Sequence, residues 1–244
     1  LISLDPSIVV TRNRGAEADL LLKARAWVTR EERAPGIHAT DVLDPRKAFW
    51  SKVDPKPLSD RLAMTFFVGK MLHAFVLGDS KGAPDAPTDA GSFKSEELGI
   101  TYSPDVVKPD GNVAELKTSR SFQEPKSLDD IRHYLEQLLV YMAATDTTVS
   151  ELWVLYLNLR DSTNRTAPEF RVYGVSLTQG VLDGVKAQVK TAVERLGSAL
   201  MGYATNPDAY RMLPLCREWM CNRRGCDWFD VCRPEGRYTV AKAA

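Results

Sequence analysis

The chain lacks any excess of charge. Its 32 Lys and Arg residues balance 32 Asp and Glu residues, so the formal net charge at pH 7 is zero. That excludes binding to polyanions through bulk charge, though not through a locally basic groove. No run of 18 or more apolar residues occurs, so no membrane-spanning helix is expected. The opening LISLDPSIVV has no basic region, long apolar stretch or small-residue cleavage site, and does not read as a signal peptide. It also lacks Met, which reads as a trimmed or incomplete start. Cysteine is scarce and confined, all 4 lying between Cys216 and Cys232. A secreted disulfide framework spreads its cysteines. This cluster points instead to a local metal site in a reducing compartment, and so to a cytoplasmic protein.

What is present suits one large soluble domain, or a domain with a small appendage. The 244 residues are 44% hydrophobic and 26% charged, enough to build a core. Helical patterns run over 16–33, 57–78, 127–145 and 178–202. Thr40 or Asp41 caps a short turn, Pro45 opens another helix, and Ser59 is a cap before the second long helix. In the last helix Val181, Val185, Val189, Leu196 and Leu200 form the expected apolar stripe. Residues 81–92 read as a surface loop rich in Gly, Pro and Asp. Extended segments follow at 93–99, 100–107 and 112–118, then at 151–159 and 168–177. This order predicts an α/β fold, a mixed sheet flanked by helices. Residues 1–212 form the main domain, and 213–244 a cysteine-rich segment packed on it.

The stretch richest in chemistry is Val106-Val107-Lys108-Pro109-Asp110-Gly111-Asn112-Val113-Ala114-Glu115-Leu116-Lys117. Pro-Asp-Gly supplies turn chemistry between two apolar runs, so a hairpin is expected. Asp105 begins its first strand and Glu115 lies in the second, where the two carboxylates can converge. Glu115 and Lys117 are two apart and share a face. Two carboxylates beside an ammonium suit a hard divalent cation and phosphate oxygens. A surface hairpin with a cross-strand ion pair accounts for the same residues. His73 is either a metal ligand or an ordinary helical histidine. Gln137 and Tyr141 lie one turn apart on one helix face, for phosphate contact, support of a metal site or simple packing.

In order and spacing, these residues resemble the RecB-type branch of the PD-(D/E)xK nuclease superfamily. The likeness is to its CRISPR-associated iron–sulfur exonucleases and their phage-borne relatives. The residues that carry it are Gly69 with His73, Pro104-Asp105, Glu115-Leu116-Lys117, and Gln137 with Tyr141. It extends from about Ile37 to Cys232. The resemblance implies a restriction-endonuclease-like α/β core. It implies Mg²⁺ or Mn²⁺ held by His73, Asp105, Glu115 and the Leu116 carbonyl, with Lys117 as the catalytic lysine. Asp105 and Glu115 share that catalytic role, and Gln137 and Tyr141 stand around the substrate. It also implies a DNA exonuclease, 5′ to 3′, acting on single strands or ends. Other CRISPR or recombination proteins are implied as partners, and oligomers occur among relatives. The rival expectation is a catalytically silent nucleic-acid-binding or assembly protein on the same fold. A metal-binding structural or redox protein is a second rival.

The chain departs from the family at position 44. A cysteine usually precedes Pro-Arg there, and this chain has Asp44. Cys216 is then the substitute ligand, giving a wholly C-terminal site. The alternative is Asp44 as an unusual ligand with Cys216 free. The spacing Cys216-x4-Cys221-x4-Cys226-x5-Cys232 lacks the paired knuckles of a zinc ribbon. A [4Fe–4S] cluster is favoured by the resemblance, and Zn²⁺ remains open on spacing alone. Trp219, Trp228 and Phe229 can shield it. Arg120, Lys126, Arg132, Arg217, Arg223, Arg224, Arg233 and Arg237 can form a local basic rim. Tyr102, Phe122, Trp219 and Trp228 can stack on unpaired bases, although such aromatics are more often core.

Overall fold

The computed structural model describes residues 35–77, 91–160 other than 122 and 127, 165–216, 221 and 226–232, together with helical positions 18, 21–23 and 26. Most of the helix expected over 16–33 and of the loop over 81–92 lies outside the described residues, as do Phe122, Arg217, Trp219, Arg223, Arg224, Arg233 and Arg237.

After the helical positions 18, 21–23 and 26 come α1 (Ala39–Leu43), α2 (Pro45–Val53) and α3 (Asp60–Leu77). Pro45 opens α2 as expected, because its missing N–H would be unpaired there anyway. The cap of α1 is not Thr40 or Asp41 but His38, whose backbone N–H donates to the Asp41 carboxylate at 3.0 Å. Helix α3 starts three residues after Pro57. Ser59 caps it, its carbonyl accepting from Ala63 N at 2.8 Å and its hydroxyl from Leu62 N at 3.4 Å.

Strands β1 (Phe93–Ser95) and β2 (Ile100–Tyr102) pair antiparallel as a separate ribbon. The expected strand over 100–107 is broken at Pro104, which has no N–H for a ladder and a fixed φ. The chain leaves the ribbon there and re-enters as β3 (Val106–Val107) in the main sheet. The expected hairpin forms between β3 and β4 (Val113–Ser119), with Val106 opposite Ala114 and Val107 opposite Val113. Gly111 takes φ 83° in its turn, a conformation open to glycine without strain.

A 3₁₀ turn (Leu128–Ile131) leads into α4 (Arg132–Thr145), which crosses over to β5 (Val149–Arg160). That crossover makes β4 and β5 parallel, with Glu115 opposite Leu152 and Lys117 opposite Val154. Strand β6 (Thr166–Ser176) closes the sheet antiparallel to β5, giving the order β3-β4-β5-β6. This is the mixed α/β sheet that the sequence predicts. Helix α5 (Gln179–Gly202) follows, capped by Thr178.

One core lies between the sheet and helices α4 and α5, around Val113, Leu138, Met142, Leu152, Val154, Leu182 and Val189. The expected α5 stripe holds at Val185, Val189, Leu196 and Leu200 and differs at its first position: Val181 is 51% exposed and Leu182 is fully buried. The buried series is Leu182, Val189 and Leu196, at a spacing that keeps one helix face inward. A second core gathers Phe49, Trp50, Leu196, Tyr210, Leu213 and Trp228. It seats the cysteine segment, where α6 (Phe229–Cys232) lies. Trp228 Nε1 donates to Asp54 O at 2.8 Å, and Arg46 Nε to Leu213 O at 3.1 Å. Among the described residues, no helix is long and apolar enough to cross a membrane.

Candidate active site

The break at Pro104 places Asp105 just ahead of β3, not within it. Strand β3 is too short to supply a partner for Leu116, so Asp105 Oδ2 accepts the Leu116 N–H at 2.8 Å. The other oxygen, Oδ1, lies 3.2 Å from His73 Nδ1 on α3. Glu115 and Lys117 project from β4 on the Val113 face, toward α4. Lys117 Nζ donates to Glu115 Oε1 and, at 3.0 Å, to Gln137 Oε1. Gln137 Nε2 in turn donates to Tyr141 OH at 2.7 Å. All six side chains singled out in the sequence therefore meet as one linked set, drawn from α3, the Pro104 break, β4 and α4.

The charge states follow from the surroundings. Glu115 is 1% exposed, and its buried Oε2 receives no hydrogen bond, while the Asp105 carboxylate stands beside this carboxyl. Burial, with Asp105 adding to it, pushes its carboxyl up to about 8, and the Lys117 ammonium does not offset this. For Asp105 burial also acts upward, but His73, Lys117 and the Leu116 amide prevail and hold it below the usual carboxylate range. Burial would lower Lys117, yet Glu115 and Asp105 outweigh that and hold it above its ordinary value. The set thus carries an ammonium, one firm carboxylate and one carboxyl poised near neutrality.

Its chemistry fits a hard divalent cation in part. Asp105 and Glu115 are adjacent, and one carboxylate oxygen has no donor, as a cation ligand requires. Mg²⁺ takes one or two protein carboxylates and fills its other positions with water and phosphate. Among the described residues, no group of three or more His, Cys, Asp or Glu side chains is gathered into a set that holds a metal ion. The firm fit is therefore the two carboxylates, with His73 serving as a partner of Asp105.

The cysteines lie near the C-terminal end of the sequence and influence one another's charge. Cys216 feels Cys226 and Cys221, Cys226 feels Cys232 and Cys221, and Cys232 feels Cys221. Burial raises the thiol of Cys216 to about 12, and Asp44 is its next largest influence. Asp44 and Cys216 are thus neighbours. Burial also raises Cys226 and Cys232. Among the described residues, no three of these thiols are gathered into a group that could hold a metal ion, so the expected metal-stapled segment is not shown. Two features there escaped the sequence reading. Arg46 Nη1 lies 4.0 Å from Cys232 Sγ, and the Trp50 indole N–H is buried without a hydrogen-bond partner. Only the Pro-Arg pattern beside Asp44 marked that region in advance. Of the expected basic rim, Arg120, Lys126 and Arg132 are described, and all three are exposed.

No protein-family model matches the chain, and no curated protein sequence matches it. Among solved structures it is similar to SSO0001, at 19% identity over 72% of this chain and 86% of that one, with a TM-score of 0.47. It is similar to the alkaline exonuclease LHK-Exo of Laribacter hongkongensis, at 14% identity over 78% of this chain and 98% of that one, TM-score 0.40. A phage-related exonuclease of Haemophilus somnus 129PT is a third, at 11% identity over 79% and 85%, TM-score 0.37. At such identities and scores, function has to be read from the side chains themselves.

Proposed function

We propose that the chain is a Mg²⁺- or Mn²⁺-dependent deoxyribonuclease of the PD-(D/E)xK type, hydrolysing phosphodiester bonds. The observation that carries this reading is the buried Glu115 oxygen without a donor, beside Asp105 and tied through Oε1 to Lys117. A buried carboxyl raised in pKa is costly to a resting fold and is a mark of functional sites. A structural ion pair would leave neither an unpaired oxygen nor a second carboxylate pressed against it.

Asp105 and Glu115 would hold the cation, with the Leu116 carbonyl as a further candidate ligand and His73 orienting Asp105. When bound, the cation supplies an activated water and neutralises charge on the phosphate. Lys117 stays an ammonium and is therefore no general base. It donates Nζ–H to the oxygen on which charge develops. Gln137 holds Lys117 in place, and Tyr141 holds Gln137.

The finer reading is an exonuclease on single-stranded DNA or DNA ends, running 5′ to 3′. It acts in the cytoplasm, beside CRISPR or recombination proteins and in an oligomer. The cysteine segment would carry a [4Fe–4S] cluster, with Zn²⁺ as the alternative, held by Cys216, Cys221, Cys226 and Cys232. In this proposal Cys216 replaces a ligand at position 44, in keeping with the nearness of Asp44 to its thiol. End-labelled single- and double-stranded DNA, incubated with Mg²⁺, Mn²⁺ or EDTA, tests activity, metal dependence, strand preference and polarity. Metal-dependent shortening from the 5′ end is expected. Binding without cutting under every condition would instead identify a silent nucleic-acid-binding protein.

A further inference from the structure

The β1–β2 ribbon sets Phe93 opposite Tyr102. Their rings stack, with centroids 5.6 Å apart and planes 28° from parallel. Tyr102 in turn lies 6.2 Å from Tyr141, whose hydroxyl meets Gln137 and, through it, Lys117. An aromatic file thus runs from the surface to the candidate catalytic lysine. Its inner member, Tyr141, is 3% exposed, whereas Phe93 at the outer end is 40% exposed.

The ribbon is held in place. Ser92 Oγ and Ser103 Oγ share a hydrogen bond of 2.7 Å across its open end, and Thr101 N donates to Ile37 O at 2.8 Å. Only Ser103 and Pro104 separate Tyr102 from Asp105. The position of Phe93 is therefore coupled to that of the carboxylates. Core packing does not account for it, because one ring face rests on Tyr102 and much of the rest is left to solvent.

We propose that Phe93, backed by Tyr102, is a stacking platform for an unpaired base of a single DNA strand that runs on to the candidate site at Lys117. This rests on the nuclease reading and names the strand form its site prefers. Every base has a π-face, so such a platform tolerates any sequence. A base inside a duplex already has both faces covered and gains nothing from it. The platform therefore discriminates single strands from duplex without reading sequence.

The test is fluorescence anisotropy of the full chain in EDTA, so that binding is read without cleavage. The probes are a labelled oligothymidylate and a duplex of equal length. Phe93→Ala and Phe93→Leu should each weaken single-strand binding by roughly 5- to 150-fold. Phe93→Trp should restore it, and duplex binding should stay within about twofold, the scale of a surface change outside the contact. Phe93→Leu keeps the apolar bulk, so its loss reports the ring face and not the fold. One abasic position in the oligonucleotide should reproduce the loss in the wild type and add nothing in Phe93→Ala. Wild-type affinity in Phe93→Leu, equal loss on duplex, or no such abasic position would each overturn the proposal. If this pattern appears but Mg²⁺ and Mn²⁺ never support cutting, the nuclease reading fails and the platform stands. If cutting occurs and the Phe93 variants bind normally, the reverse holds.

Discussion

Titrating Mn²⁺ into the metal-free chain at a series of pH values probes Glu115 directly. Its carboxyl is raised to about 8, so at pH 6 it holds its proton and a cation must displace it. With that value, roughly one molecule in a hundred is ionised at pH 6 and half are at pH 8. The apparent affinity should therefore rise about fifty-fold between the two, a change of about 2 kcal/mol. Asp105, held low, is already ionised across this range, and Lys117, held high, stays charged. About one proton should leave per ion bound at pH 6, and about half a proton at pH 8. Calorimetry in buffers of different ionisation enthalpy measures both the affinity and that proton. In Glu115→Gln the slope should vanish, leaving a weak, pH-independent site. An affinity flat from pH 6 to pH 8 in the wild type, or an unchanged slope in the variant, would refute the assignment of Glu115.

The same carboxyl should make the metal-free fold weaken as pH rises. Its folded pKa lies above the ordinary 4.5, so the folded state holds the extra proton. That stability is complete below the unfolded value and is lost as pH climbs toward 8. Thermal melts in EDTA should show the decline, and Mn²⁺ should reverse it. Lys117→Ala and Asp105→Ala should each abolish DNA cleavage while unfolding stays cooperative by circular dichroism. Leu196→Ala, at a fully buried position in the second core, should cost about 2–5 kcal/mol in urea unfolding. Anaerobically purified protein should contain iron and absorb in the visible, and Cys221→Ala should lose both along with soluble yield. Metal analysis that finds zinc, or neither metal in a stable wild type, would count against the cluster.

Local patterns were legible wherever one short segment sets the outcome. Pro-Asp-Gly between apolar runs specified the β3–β4 hairpin, and the alternation of β4 put Glu115 and Lys117 on one face. Pro45 and Ser59 marked true helix starts. Legibility failed where two segments compete. Pro104 was read through as strand, because its cost appears only when the flanking residues join different sheets. The α5 stripe was misplaced at its first position alone, because Val181 and Leu182 are both apolar and only the packed sheet selects between them.

The residue types of the candidate site, their order and their shared strand face were determined by the sequence alone. So was the confinement of cysteine to one end of the chain. Tertiary structure decided the rest. It brought His73, Asp105, Glu115, Lys117, Gln137 and Tyr141 into one linked set, although 68 positions separate the first from the last. It also chose the charge states, because desolvation of Glu115 depends on helices far away in sequence. Phe93 escaped the reading for the same reason: a phenylalanine becomes a surface platform only when a ribbon sets Tyr102 beneath it.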